Sequence, residues 1–342
     1  MDDDADVMEL NEPANQQAIC DDVSKEFAKL NAEAKSHLAH FDNQNLSDRI
    51  KKCDKPRVVV LTSIQGGTEP RDREIFRIYG SLINKKLLLS YPEDPVAAQK
   101  LLLADFPHAR HAVNAVFNDG LTKRDENARP YFHIKPTLLV GPQGTAKSWL
   151  AQRIPDVLGI PSLLYSVAGV ADSMFGSLTR KWSTGAVSVP ASLVARSEVA
   201  NPFIILDEID KAGTRHDNGR IEDVLLGLLE KSTAKIAFDQ YLGAVFRLDF
   251  VNYIATANDI SRLSKPLLDR FRVIRVCSPE AVHVPELISA FVRSYCNERG
   301  LDLRWIAPFS PNEIALITQY WKSGSLRELK KYIDAAIESR DH

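Results

Sequence analysis

Five short apolar runs mark the second half of the chain: TLLV at 137–140, SLLYSV at 162–167, FIILD at 203–207, VNYIATA at 251–257 and RVIRV at 272–276. Helical patterns separate most of them. That alternation predicts a five-stranded, mostly parallel sheet with helices on both faces, occupying residues 131–278. Beyond Ser278 the pattern is helical to the end, through VPELISAFVRSYCNERG, SPNEIALITQYW and SLRELKKYIDAAIES, and predicts a small helical subdomain over 279–342. Ahead of the first strand, REIFRIYGSLINKKLLL, DPVAAQKLLLADF and HARHAVNAVFNDG also read as helices, making 61–130 a helical lead-in. Residues 1–60 are acidic and polar, with few large apolar side chains before the run that starts at Val58. Within them Val23, Phe27, Leu30 and Leu38 have weak helical spacing, so this region is expected to be one helix or partly disordered.

Composition changes this picture little. The 342 residues suffice for one large or two modest domains, and 44% hydrophobic with 26% charged residues is ordinary for a soluble protein. A net charge of -2 carries no global sign of a nucleic-acid or membrane partner. Cys20, Cys53, Cys277 and Cys296 show neither C-x-x-C pairing nor metal spacing and read as reduced thiols. MDDDADVMEL is acidic where a secretion signal is basic and then apolar, and no run of about 18 apolar residues follows. A soluble, cytoplasmic protein without a membrane partner is the expectation.

Chemistry enters at GPQGTAKS, directly after TLLV. A phosphate-binding turn needs a strand, a tight loop of backbone N–H groups, and a helix whose first turn supplies more donors. Gly141, Pro142, Gln143, Gly144, Thr145, Ala146, Lys147 and Ser148 fit that plan, with SWLAQRI starting the helix. Ala146 replaces the last glycine of the common pattern. It falls at helix entry, where ordinary helical dihedrals are expected to serve. Lys147 would reach the β and γ phosphates of ATP, and Ser148 would help hold Mg²⁺.

The second signal is NPFIILDEIDK. An apolar strand ending in Asp207 and Glu208 aims both carboxylates at the C-terminal edge of the sheet, where ligands of such sheets bind. Asp207 suits Mg²⁺ through its waters, and Glu208 suits proton removal from the water that attacks the γ phosphate.

Together with LLEKSTAKIAFDQYLGAVFRLDF, YIATAND, SKPLLDRFRVIRV and GSLRELKK, these segments resemble the AAA+ ATPase superfamily over roughly 105–335, and within it the ATPase module of the Lon proteases. The resemblance implies an α/β P-loop module with a five-stranded, mostly parallel sheet, a C-terminal helical lid and a short helical N-terminal segment. It makes Asn258 the sensor-1 residue that orients the attacking water. Arg270 becomes the arginine finger of a neighbouring subunit's site, with Arg272 as its alternative, and Arg327 becomes sensor 2. Met174, Phe175 and Gly176 are the nearest match to the aromatic pore loop of Lon-type modules, and Trp182 is a second candidate. Phe175 packed beneath the sheet is the competing reading. The polar stretch 214–220 is expected as a loop near the subunit boundary. No segment matches the Lon peptidase or its large substrate domain, so proteolysis is not expected. The implied function is Mg²⁺-dependent ATP hydrolysis in an oligomeric ring, a hexamer by family likeness, that remodels a partner protein. A nucleic-acid motor or loader, for which Arg180 and Lys181 are thin support, and an ATP-dependent switch or structural subunit stay open as alternatives.

Overall fold

Strand register brings the chemistry-bearing ends of three apolar runs to one edge. The computed structural model describes residues 55–67, 70–167, 175–180, 185–211 and 221–340. The expected helix near 23–41, Met174, Lys181, Trp182, the loop at 214–220, Cys20 and Cys53 lie outside them. Within the described residues the strands in chain order are β1 (Arg57–Val59), β2 (Lys86–Leu88), β3 (Thr137–Val140), β4 (Ser162–Ser166), β5 (Phe203–Asp207), β6 (Ala237–Asp239), β7 (Ala244–Phe246), β8 (Asn252–Ala257) and β9 (Arg272–Arg275). The main sheet has the order β4-β5-β8-β3-β9, and each neighbouring pair is parallel. Val140 pairs with Ala257 and Leu206 with Ala255, so β3, β5 and β8 finish together at the C-terminal edge.

Burial on both faces explains why β5 and β8 are largely apolar. All of β8 is buried, as are the first four residues of β5. Successive side chains of a strand point to opposite faces, and here they feed two separate cores. Leu138, Ile204, Leu206, Tyr253 and Ala255 enter one, while Leu139, Phe203, Ile205 and Ile254 enter the other. The second core is closed by the helices Pro95–Asp105, Arg110–Gly120 and Lys147–Leu158, which contribute Leu102, Val113, Val116, Phe117, Leu150 and Ile154. At the C-terminal end the helices Val284–Arg299, Pro311–Tyr320 and Leu326–Glu338 surround a third core that includes Leu287, Ile317, Leu329 and Ile333. A capping box between Ser310 and Glu313 starts the middle helix. No described helix is long and apolar enough to cross a membrane. Cys277 and Cys296 are free thiols.

Two sequence expectations need correction. The stretch 73–89 is not helical throughout. Its helix, Pro70–Tyr79, stops, and the KKLLL end forms β2, antiparallel to β1. Asn84, with a left-handed φ of 56°, turns the chain there, and the pairing Val58↔Leu87 decides the strand. Arg180, weighed as a nucleic-acid contact, faces inward. Its guanidinium donates to Tyr241 O, Gln65 O, Leu242 O and the Asp72 carboxylate, the last at 2.8 Å. It clamps three chain segments and has no donor geometry directed at a phosphate backbone.

Candidate active site

The phosphate loop grows out of β3. A Cβ at Gly141 would lie 2.2 Å from Val276 O, so only glycine permits this approach of the loop to the end of β9. Gly144 has φ +83°, and a Cβ there would also meet Ser325 Oγ at 2.7 Å. Ala146 overturns the expectation of ordinary helical dihedrals. Its φ of 59° and ψ of 32° are left-handed, a conformation that costs a residue with a Cβ about 1–2 kcal/mol. Packing holds it: the residue is partly buried against both the second core and the helical C-terminal core, and its carbonyl accepts Leu150 N at 2.8 Å. The following helix, Lys147–Leu158, points its N-terminus at the site, which favours an anion.

Lys147 is buried, and its ammonium donates to Gly141 O and Pro142 O at 2.8 Å each and to Asn258 Oδ1 at 2.9 Å. Burial holds this lysine below its usual pKa range, an effect opposed by the carboxylates of Asp210 and Asp207. Ser148 Oγ donates to Asp207 Oδ1 at 2.6 Å, and Thr256 Oγ1 donates to the same oxygen at 2.7 Å. Glu208 follows with a left-handed φ of 55°, its N–H donating to Thr256 Oγ1 at 3.0 Å. Its carboxylate accepts Lys211 Nζ at 2.6 Å. The geometry therefore gathers Lys147, Ser148, Asp207, Glu208 and Asn258 from three strand ends.

Lys147, Ser148, Glu208 and Asn258 line a cavity of about 560 Å³ together with Gln143 and Arg327. Asp207 lies behind Ser148. The cavity's far wall belongs to the C-terminal helical subdomain: Leu326 N donates to Gly144 O at 2.8 Å, and Trp149 stacks on Phe291 with ring centroids 5.2 Å apart. Asp105 ties the same two parts, accepting Arg153 Nε at 3.2 Å and Arg293 Nη2 at 2.7 Å.

Residues 137–278 match the family described as ATPase family associated with various cellular activities. The chain carries an AAA domain. It is homologous to the ATPase module of Lon proteases. Over 237 residues it is 30% identical to the peroxisomal Lon protease homolog 2 of Pichia angusta, covering 68% of this chain and 25% of that protein. It is 33% identical over 204 residues to the mitochondrial Lon protease homolog of Eremothecium gossypii, covering 57% and 19%. Against the Lon protease of Mesomycoplasma hyopneumoniae it is 30% identical over 200 residues, covering 57% and 23%. The chain thus spans about a quarter or less of the length of these relatives.

The remaining expected residues of the AAA domain divide. Arg272 is occupied by its own fold, donating to Ala115 O at 3.1 Å and Thr137 Oγ1 at 2.9 Å and standing 3.5 Å from Asp119. Arg270 is half-buried, with one Nη donating to Pro266 O at 2.8 Å. Neither lines the cavity. Phe175 corrects the pore-loop expectation. It is 0% exposed, edge-on to Tyr165 at 4.9 Å, with its carbonyl accepting Val189 N. A ring so enclosed grips no passing chain. Gly176 follows at intermediate exposure beside Val224. Phe175→Ala is expected to destabilise the protein by about 3–5 kcal/mol, read as a lower denaturant midpoint at unchanged slope; an unchanged midpoint contradicts the core placement.

Sequence reasoning passed over Thr256, Asp210 and His108. Thr256 lies two residues before Asn258 in YIATAND, the spacing that puts both at the strand's active end. His108 Nε2 sits 3.1 Å from Thr145 O, with burial and then the neighbouring His283 lowering its pKa against the pull of Thr145 O. Its position against the phosphate loop depends on packing between distant segments and leaves no local signature.

Proposed function

We propose that the chain is a Mg²⁺-dependent ATPase that works in a hexameric ring and uses hydrolysis to remodel a partner protein. The observation that carries this reading is the meeting of Lys147, the Ser148–Asp207 pair and Glu208 at one cavity. Lys147 and the N–H groups of Gly144 to Ser148 would bind the phosphates. Ser148 and Asp207 would hold Mg²⁺: two oxygen donors, a hydroxyl and a carboxylate, suit a hard cation that keeps waters and borrows phosphate oxygens. Bound there, the ion would neutralise phosphate charge. Glu208, held by a left-handed backbone beside Thr256, would take the proton of the attacking water, and Asn258 would orient that water. For Glu208 to do so, its carboxylate must leave Lys211. Arg327, exposed to the same cavity from the lid side, would contact phosphate oxygens. Arg270 would act across a subunit boundary, where a cation offsets charge developing on the γ phosphate.

A mixing experiment tests the shared site. Arg270→Ala is expected to bind ATP nearly normally and to hydrolyse it about 10³-fold more slowly. In an equal mixture with Glu208→Gln, random neighbours restore about a quarter of wild-type turnover, because Glu208→Gln subunits lend their Arg270 to intact bases next door. No recovery at any mixing ratio, with turnover per chain independent of protein concentration, contradicts the ring.

A further inference from the structure

Asp210 is a buried carboxylate to which none of the roles above is given. It lies in the short turn Ile209–Lys211 that follows β5, two residues beyond Glu208, and is only 9% exposed. One oxygen, Oδ2, accepts two backbone N–H groups, those of Asn258 at 3.0 Å and Asp259 at 3.1 Å. The other, Oδ1, is buried and has no hydrogen-bond partner. Keeping an ionisable group in such surroundings is unfavourable unless its interactions compensate, and the two bonds it makes are charge-assisted, the stronger kind.

Those two bonds converge on one place. They pin the peptides on either side of Asn258, whose side chain reaches Lys147 Nζ at 2.9 Å. Two residues earlier, Thr256 forms the other stitch between the same strand ends, accepting Glu208 N and donating to Asp207 Oδ1. The end of β8 is thereby fastened to the end of β5 on both sides of the residue expected to orient water. Thr256 fixes the strand, and Asp210 fixes the turn from which the Asn258 side chain departs. Misplacing a reacting or orienting group by about 1 Å can cost 10²-fold in rate.

We infer that Asp210 is a positioning residue for hydrolysis, its buried carboxylate setting the direction of Asn258 relative to Glu208. The inference rests on the ATPase reading and deepens it. An ordinary turn cap would contribute stability alone and would act independently of the Asn258 side chain. A positioning residue acts through that side chain, so its effect disappears when the side chain is removed.

The test is a double-mutant cycle on steady-state phosphate release from Mg-ATP, using wild type, Asp210→Ala, Asn258→Ala and the double variant, with a melting curve for each. Asp210→Ala is expected to lower kcat by about tenfold to a hundredfold while KM changes by less than about threefold. In the Asn258→Ala background the same substitution is expected to change kcat by less than about twofold. Should Asp210→Ala fail to fold, Asp210→Asn is carried through the same cycle. It keeps one acceptor oxygen but loses the charge, so the expected loss is about threefold to tenfold, again confined to chains that retain Asn258. Equal losses with and without Asn258, or a loss confined to KM, overturn the inference and leave the ATPase reading standing. Absence of hydrolysis by the wild-type chain overturns both.

Discussion

Glu208→Gln is expected to leave ATP bound and to remove turnover by about 10²–10⁴-fold, the usual contribution of a general base. Glutamine keeps the shape of the side chain and its hydrogen-bonding reach but cannot take a proton. The fold should tolerate it. Glu208 loses an ion pair with Lys211 whose two side chains are 33% and 42% exposed, and pairs at that exposure contribute about 0–1 kcal/mol. Equilibrium binding of a fluorescent ATP analogue, measured beside phosphate release, separates the two quantities. A fall in affinity as large as the fall in turnover would remove Glu208 from the role of base.

Lys147→Ala is expected to act one step earlier, weakening ATP binding by about tenfold to a hundredfold, since hydrogen bonds to charged groups contribute about 1.5–3 kcal/mol. Turnover falls with it. The substitution also removes the ammonium that joins Gly141 O, Pro142 O and Asn258 Oδ1. Asn258 borders the cavity and can turn to water, and Pro142 O keeps the Thr145 hydroxyl as a donor, so the melting temperature should move little. A large drop in melting temperature together with unchanged affinity would make Lys147 a strut of the loop and not a phosphate ligand.

What the sequence disclosed follows from how local each signal is. Gly141, Gly144, Lys147 and Ser148 are read from one contiguous turn, and Asp207–Glu208 from one apolar strand, because backbone direction alone carries them to the same edge. The alternating burial of β3, β5 and β8 on two cores explains why apolar residues dominate both faces of their runs, and so why the parallel sheet was legible. The structural role of Arg180 was not legible because Gln65, Asp72, Tyr241 and Leu242, which occupy its guanidinium, lie far off in the chain. KKLLL has no period that separates strand from helix, and only its pairing with β1 decides it. Phe175 has an aromatic's ambiguity: a ring serves a pore or a core, and its contact with Tyr165 of β4 settles the matter. The left-handed φ of Ala146 contradicts what its residue type suggests, and the strain is sustained by packing on two cores. The hairpin β6–β7 could have been found, since Gly243 at φ +61° sits between two short apolar runs.

The most direct measurement is phosphate release from Mg-ATP by the wild-type chain and Lys147→Ala, purified in parallel and compared at equal concentration. Steady release by the wild type, dependent on Mg²⁺ and lost on chelation, is expected, with Lys147→Ala at background. Release by the wild type no greater than by Lys147→Ala would contradict it.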